Sequence, residues 1–523
     1  MKKLPIGVQT FSDMIEENYL YVDKTQYIYN LFADGGKYYF LSRPRRFGKS
    51  LLLSTLKEIF LGNQELFKGL WIYGKIDWKK YPVINIDFLK IGYKTPDILE
   101  KSLEKIIRKI ARAFNVSLDK EGDYKDVFRD LIEGLGRENK VVILIDEYDK
   151  PIIDFVDDKE VAQKNRDILR NFYTTIKGMD EYIKFAFFTG VSKFSKVSVF
   201  SGLNNLRDIT LSQQFTTMLG YTDEELVNYF GNRMKKLKTR LKKEESEILE
   251  DIRRWYNGYS WDGENFVYNP LSILSFFQEG KFSNYWFSTG TPSFLIKLIK
   301  EKQVNVETIG AWEVDEYVFD SYDIENMDVA SLLFQTGYIT IKDFKTLKDI
   351  YKYYLSYPNK EVKDAFLKYL LADFMNSSPA TIGSKIFDLT EHLINHQLER
   401  FFETIKGLFA SIPYNIFIHD KEAYYHSVIY LVLTLLGVNI KAEIQTSTGR
   451  IDAVIEIDNS VYIMEFKMGS ESEALEQIKK MKYYESYADQ GKKVLLVGVG
   501  FDMEKRNIGG YILEDYYALD RVD

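Results

Sequence analysis

Cysteine is absent from the 523 residues. Disulfides, thiolate metal centres and cysteine nucleophiles are thereby excluded. Histidine occurs four times, too rarely for a metal site built from several imidazoles. Any metal is expected to be a hard cation held by carboxylates. No apolar run approaches the roughly 18 residues of a membrane-spanning helix. The opening stretch, MKKLPIGVQTFSDMIEENYLYVDK, lacks the apolar core of a signal peptide. A cytoplasmic protein without a membrane partner is therefore expected. Basic charge is not in excess either. Seventy Lys and Arg stand against 77 Asp and Glu, a net charge of −7, so contact with nucleic acid would rest on a local basic patch. There is no internal repeat and no low-complexity tract.

What is present is an aromatic-rich globular chain, 45% apolar, with 38 Tyr and 36 Phe. Its length exceeds what one hydrophobic core usually serves, so two to four domains are expected. In the first half, apolar strands (37–43, 81–88, 140–150, 182–192) alternate with helical stretches, which indicates a parallel sheet covered on both faces. From about 222 the pattern turns helical, with Pro270 at a helix start. Residues 290–410 read mainly as short helices. The last 120 residues return to a mixed pattern. A helix is expected at 421–436, strands near 439–445, 450–457 and 460–467, a helix at 473–489 and a strand at 492–501.

The stretch RPRRFGKSLLL (43–53) ends as a phosphate loop ends, with Gly48, Lys49 and Ser50 leading into a helix directly after a strand. Its start departs from G-x-x-x-x-G-K-[ST], because Arg43 stands where glycine is usual. Gly48 would let the backbone approach a phosphate, Lys49 would reach the β- and γ-phosphates, and Ser50 would ligate Mg²⁺. Arg46, Phe47 and Leu51 complete the candidate loop. By itself the tripeptide is also compatible with a simple helix-capping turn. A second piece stands about 100 residues on, where VILI runs into Asp146 and Glu147. A carboxylate at the end of a buried strand beside the loop strand can hold the Mg²⁺ water shell, and the following Glu can polarise an attacking water. Thr189, at the end of the next strand, is a candidate γ-phosphate sensor or an ordinary strand cap. Arg207 is a candidate source of positive charge for the transition state.

The segments YLYVDKTQYI (19–28), FLSRPRRFGKSLLL (40–53), VVILIDEYDKPI (141–152) and FFTGVSKFSKVSVFSGLNNLRDIT (187–210) resemble the bacterial AAA-ATPase-like family of P-loop proteins. The resemblance covers roughly residues 3–290. It implies that R-P-R-R-F-G-K-S is a family form of the loop, and it suggests a place for YVDKT near the nucleotide.

A second constellation lies near the C-terminus. Asp452 sits in GRIDAVIEI, and Glu465 and Lys467 in YIMEFKMG. Residues two apart on a strand project to the same side, and DNS (458–460) reads as the turn of a hairpin joining the two segments. Asp452 and Glu465 could then bind Mg²⁺ or Mn²⁺ against a scissile phosphate, with Lys467 orienting water. Glu422 would complete the carboxylate set, and Gln477 would position substrate. A hairpin with one wet face would look similar. The segments EAYYHSVIYLVLTLLG, GRIDAVIEIDNSVYIMEFK and ALEQIKKMKYYESY resemble the PD-(D/E)xK nuclease superfamily over about residues 400–520, with Glu422, Asp452, Glu465, Lys467 and Gln477 on its pattern. Ile451 replaces the proline of the PD pair. Members of the superfamily include binding modules as well as nucleases.

Three other features have plainer explanations. RMKKLKTRLKK (233–243) can contact phosphates or form a solvated helix face balanced by EESEILED. WYNGYSW (255–261) can stack a base or pack as a turn. His392, His396, His419 and His426 are isolated, the last one helical turn beyond Glu422.

The expected fold class is therefore α/β. A P-loop NTPase parallel sheet (1–220) is followed by a helical or winged-helix extension (221–290), a helical connector (291–399) and a restriction-endonuclease-like α/β domain (400–523). The expected function is ATP binding and hydrolysis coupled to a Mg²⁺-dependent nuclease-like domain acting on DNA or RNA, in defence or mobile-element conflict. The alternative is a nucleotide-switched scaffold that binds nucleic acid or protein and does not cut. Assembly into a homo-oligomer is compatible with either.

Overall fold

The computed structural model describes residues 1–119, 121–193, 199–200, 202–287, 293–319, 328–411, 421–436, 439–446, 449–457, 459–482, 484–488, 492–502 and 504–516. The chain divides into two compact units, 1–303 with 308–363, and 304–307 with 364–523. No helix among the described residues is long and apolar enough to cross a membrane.

The first unit is built on a five-stranded parallel sheet. Its strands are β1 (Tyr38–Ser42), β2 (Val83–Asp87), β3 (Val141–Asp146), β4 (Ile183–Gly190) and β5 (Arg207–Asp208), in the order β2-β3-β4-β1-β5. Every residue of β1 and β3 is buried, as expected of strands covered on both faces. The covering helices start where the sequence supplies caps. Thr95 accepts from the Ile98 N–H with Pro96 in the first turn, and Asp123 accepts from the N–H groups of Lys125 and Asp126. The continuous apolar strands expected from the sequence are all present. One placement differs. The acidic strand β3 was expected beside the loop strand β1, but β4 lies between them, and strand adjacency is not encoded in the order of apolar runs.

Three helices follow, Asp223–Leu241, Glu245–Tyr256 and Pro270–Glu279. They enclose a core of Leu226, Phe230, Ile252, Tyr256, Ile273 and Phe276, which the N-terminal Val22 joins. The basic run forms the exposed side of the first helix. Lys238 pairs with Glu244 and Lys243 with Asp251, while Met234 and Leu237 turn inward, so the acidic sequence that follows does offset it. In WYNGYSW, Tyr256, Tyr259 and Trp261 are buried, as in a packed turn.

The connector is helical only in part. It also carries a three-stranded antiparallel sheet of β6 (Trp312–Val314), β7 (Thr340–Leu347) and β8 (Ile350–Ser356) in the order β6-β8-β7. Leu347 pairs with Ile350 across a two-residue turn whose Lys348 and Asp349 both have positive φ, 47° and 65°. Such turns usually announce themselves by Asn-Gly or Asp-Gly, and Lys-Asp gives no such signal.

In the second unit a mixed sheet is formed by β9 (Asn439–Thr446), β10 (Gly449–Ile457), β11 (Ser460–Met468), β12 (Lys493–Asp502) and β13 (Asn507–Asp515), ordered β13-β12-β11-β10-β9. Only the β11–β12 pair is parallel. Helix Glu471–Met481 bridges those two strands and packs Leu475 and Ile478 on Val461, Ile463, Val494 and Leu496. The mixed sheet fits a restriction-endonuclease-like domain, and the α/β fold class expected from the sequence holds. His396 bonds the Tyr462 hydroxyl at 2.6 Å, and His392 lies 3.5 Å from the Thr404 hydroxyl. His419 and the side chain of His426 lie outside the described residues.

Candidate functional site

At the C-terminal edge of β1 the chain turns through 43–48 into helix Lys49–Phe60. Gly48, at φ 95°, is the left-handed residue before the helix, and a Cβ there would meet nothing within 4 Å. Glycine is therefore required by the backbone and leaves open space in front of the helix N-terminus, where anions are favoured. Lys49 is 5% exposed. Its Nζ donates to the carbonyls of Arg43 (2.9 Å) and Pro44 (3.2 Å) and lies 4.0 Å from a Glu147 carboxylate oxygen.

The basic entrance to the loop divides into two roles. Arg43 is 1% exposed and points away from the cleft. Its guanidinium donates to the carbonyls of Ser42 (2.9 Å), Thr210 (2.9 Å) and Phe215 (3.3 Å) and lies 3.9 Å over the Trp261 ring. Burial pushes its pKa down to about 9. Phe47 is buried edge-on to Tyr259 and Trp261, and the Arg45 carbonyl accepts from the Trp286 indole (3.0 Å). The side chains of this entrance thus anchor the loop to the helical region. Arg45 and Arg46 remain exposed at the rim.

Asp146 ends β3 at 6% exposure. Its Oδ1 accepts from the Thr189 hydroxyl on neighbouring β4 (2.6 Å) and from the Glu147 N–H (3.1 Å). Glu147 follows at φ 54°, a conformation that non-glycine residues hold at a cost and that recurs at functional sites. Asp149, two residues on, is completely buried. One of its oxygens accepts from the N–H groups of Val191 (3.0 Å) and Ser192 (2.7 Å) and from the Ser192 hydroxyl (2.8 Å). Burial, with the Glu147 charge adding to it, pushes this carboxyl up to about 6. The pair fastens the end of β4 to the turn after β3. The pairing is not legible in the sequence, where Asp149 is one of three similar acids in DEYDK and Ser192 is one polar residue near the end of β4.

A cleft of about 400 Å³ opens on the loop. Arg46, Gly48, Lys49, Ser50, Leu51 and Glu147 border it on the phosphate side. Opposite stand Gly7–Gln9 and Tyr21–Val22 from the N-terminal segment and Met218–Tyr221, Pro270 and Leu274 from the helical region. Sequence reasoning missed these apolar walls, although Pro270 is legible as a helix start. Of YVDKT, Tyr21, Val22 and Lys24 reach the cleft wall. Lys24 is held by Glu225 (2.7 Å) and the Thr217 carbonyl (2.9 Å), and burial lowers its pKa. Asp23 accepts from the Thr25 N–H (2.9 Å) and hydroxyl (2.7 Å) just before the next helix. Arg207, by contrast, is paired with Asp34 and lies opposite Tyr39, toward the start of β1. It is at the wrong end of the sheet to serve this cleft.

In the second unit Glu465 and Lys467 are on β11, opposite Gly498 and Gly500 of β12. Glu465 is 2% exposed and accepts from the Gln477 side-chain amide, and Lys467 is partly exposed. A Cβ at Gly498 would fall 2.4 Å from the Glu471 carbonyl, so the glycine lets the start of the helix carrying Gln477 sit directly on the sheet. β10 pairs with β11 at Ala453 and Met464, which puts Asp452 and Glu465 one step further along the same two strands. The side chains of Glu422 and Asp452 lie outside the described residues. Among those described, no group of three or more His, Asp or Glu side chains gathers to hold a metal ion.

A glycine-lysine-serine loop at one strand end, facing an acidic strand end across β4, defines the nucleotide-binding class of α/β domains. Residues 5–200 match the family described as predicted AAA-ATPase, and residues 420–510 match the PD-(D/E)XK nuclease superfamily. The chain is 37% identical over 98% of its length to a protein of Azotobacter chroococcum mcd 1 described as "Uncharacterized protein in vnfD 5'region", of which 99% is covered. The chain belongs to this family of AAA-ATPase-like proteins that carry a PD-(D/E)XK nuclease superfamily domain behind the ATPase domain. Its domains are those of a nucleotide-binding and nuclease-like protein.

Proposed function

We propose that this chain binds and hydrolyses ATP in the cleft at Gly48–Ser50 and that nucleotide turnover governs cleavage of nucleic acid in the C-terminal domain. The observation that carries the first part is that Lys49 and Glu147 line one cleft of nucleotide size, with Asp146, bonded to Thr189, directly beside Glu147. Lys49 now rests on two loop carbonyls and would exchange them for β- and γ-phosphate oxygens. Asp146 has one oxygen committed to Thr189 and the Glu147 N–H, while Oδ2 takes no hydrogen bond among the described residues. Together with the Ser50 hydroxyl, that oxygen fits Mg²⁺, which when bound supplies charge neutralisation on the phosphates. Glu147, held in its left-handed turn, would accept the proton of the attacking water. Thr189, bonded to Asp146, would report the γ-phosphate to β4. Apolar walls at Val22, Met218 and Leu274 would take the base and sugar.

For the C-terminal domain, a carboxylate kept inside an otherwise apolar strand by Gln477 suits a hard divalent cation. Glu465, with Asp452 and Glu422, would hold Mg²⁺ or Mn²⁺, which supplies Lewis acidity toward the scissile phosphate. Lys467 would orient the water or offset developing charge.

Both halves are tested by incubating the full chain with DNA and RNA, with and without ATP and each metal. Glu147→Gln should lower ATP hydrolysis by about 10²–10⁴-fold while leaving ATP bound, and Lys49→Ala should weaken binding itself. Asp452→Ala and Lys467→Ala should abolish cleavage and spare hydrolysis. A chain that hydrolyses ATP but cuts no substrate with either metal would favour the nucleotide-switched scaffold.

A further inference from the structure

A second cavity, about 560 Å³, opens elsewhere in the first unit. Arg253, Arg254, Lys342, Asn257, Asn265 and Phe266 line it, and so do Asp223 and Glu264. Three cations line it with two carboxylates, and Arg254 is in addition paired with Asp251 (2.9 Å). Asp223 is already engaged by Arg253 (3.2 Å) and by the Tyr268 hydroxyl (2.5 Å), and Glu264 accepts from Gln213 (3.1 Å).

Lys342 is the informative residue. Its Nζ donates to the carbonyls of Gly258 (3.1 Å) and Pro358 (2.7 Å) and lies 5.6 Å from the Phe266 ring. No carboxylate of the described residues stands within ion-pair distance of it. An ammonium has three N–H donors, so one remains for the cavity. Burial pushes its pKa down to about 8, which still leaves it charged at neutral pH. The floor is fixed by Gly258, at φ 115°, where a Cβ would come within 2.1 Å of the Pro358 carbonyl and 2.7 Å of the Lys342 nitrogen. A half-buried cation without a counter-ion is costly, and a phosphate ligand would remove that cost. The volume is that of small-molecule sites. Guanidinium groups suit phosphate oxygens, two amides offer polar readout, and Phe266 presents a ring.

One wall is shared with the nucleotide cleft. Met218, Leu219, Gly220 and Tyr221 line the cleft, whereas Thr217, Thr222 and Asp223 line this cavity. The wall is tied to Lys24, whose Nζ bonds the Thr217 carbonyl and Glu225, and Glu225 in turn accepts from the Thr222 N–H.

We propose that this cavity is a second ligand site, taking a small phosphorylated molecule of nucleotide size and coupled through residues 217–223 to the nucleotide cleft. The coupling rests on the nucleotide cleft proposed above, whereas occupancy of the cavity does not. The test uses the full chain, calorimetry, and pyrophosphate and AMP as probes. In a Lys49→Ala background, which removes the phosphate-loop grip, a probe should still bind. Adding Arg254→Gln should weaken that binding by about tenfold or more, since a charge-assisted contact to phosphate is lost. Arg254 is 65% exposed and its ion pair with Asp251 is a surface i,i+3 pair, so this change should cost about 1 kcal/mol or less of stability even if Lys342→Met, expected to act more strongly, does not fold. Absence of binding by either probe, or binding that Lys49→Ala abolishes and Arg254→Gln spares, overturns the site. Tighter binding of a short oligonucleotide than of either probe, lost in Arg254→Gln, overturns the small-ligand assignment in favour of a nucleic-acid groove. For coupling, saturating AMP should change the affinity for a non-hydrolysable ATP analogue differently in the wild type and in Arg254→Gln, where only direct competition remains. Equal effects in both remove the coupling.

Discussion

Arg43 occupies the position where a phosphate loop ordinarily begins with glycine, and its surroundings explain why the loop can do without one. The side chain is directed inward, where three carbonyls and the Trp261 ring receive it. Its own carbonyl supports Lys49. The substitution therefore moves the anchoring of the loop from backbone flexibility to a buried guanidinium. Arg43→Met leaves the carbonyls of Thr210 and Phe215 without this donor, and the loss should be about 3 kcal/mol or more. Arg43→Lys should recover little, because one ammonium does not span the same set of acceptors. Urea melts of the three chains measure this, and a lysine variant as stable as the wild type would show that charge alone is needed. Thr189 offers a second test at this scale. Thr189→Val is nearly isosteric and removes only the hydroxyl bonded to Asp146. Hydrolysis should fall while ATP affinity holds, and equal loss of both in nucleotide-binding and steady-state assays would argue against a sensing role.

Among the elements, those legible in the sequence were the ones whose apolar pattern is long and uninterrupted. β1, β3 and β4 are buried on both faces and announce themselves without ambiguity. β5, two residues long, carries no pattern. The β7–β8 hairpin was hidden by its Lys348-Asp349 turn, and β13 by the Gly509-Gly510 pair inside it. For the candidate site, the loop and the acidic strand end could be read directly, because their chemistry sits at fixed offsets. Asp149 with Ser192, the apolar cleft walls and the interior role of Arg43 depend on which chains cross in space, and periodicity says nothing of that.

Glu361 shows how one carboxyl joins elements distant in sequence. It is fully buried in helix Lys360–Phe374 and accepts from the Ser272 hydroxyl and the Trp286 N–H, each at 2.7 Å. Burial pushes it up to about 7 from 4.5. The folded state thus keeps a proton that the unfolded chain releases from about pH 4.5. Stability from this group is fully present below pH 4.5, falls as pH rises to about 7, and is flat beyond, a change of about 3 kcal/mol. Glu361→Gln stays neutral and can bond the same two partners. The stability difference between variant and wild type should grow in favour of the variant from pH 5 to pH 8. A constant difference across that range would mean that Glu361 ionises normally.

At the scale of the whole molecule, the question is why an ATPase domain and a nuclease-like domain share one chain. A freely running ATPase attached to an unregulated nuclease would show no dependence of cutting on nucleotide. Governance predicts that cleavage differs among the empty, ATP-bound and post-hydrolysis forms. Two substitutions separate these states: Lys49→Ala, which removes the grip on the phosphates, and Glu147→Gln, which binds ATP but does not turn it over. If ATP binding licenses cleavage, Glu147→Gln cuts at least as fast as the wild type in ATP and Lys49→Ala does not cut. If hydrolysis is required, both are inactive while Asp452→Ala still hydrolyses ATP at the wild-type rate. Either outcome establishes communication, because a ligand shifts an equilibrium only by its differential affinity for the two states. Cleavage that is metal-dependent, abolished by Asp452→Ala, and identical in the wild type, Lys49→Ala and Glu147→Gln with or without ATP would show that the nucleotide cleft does not govern the nuclease-like domain.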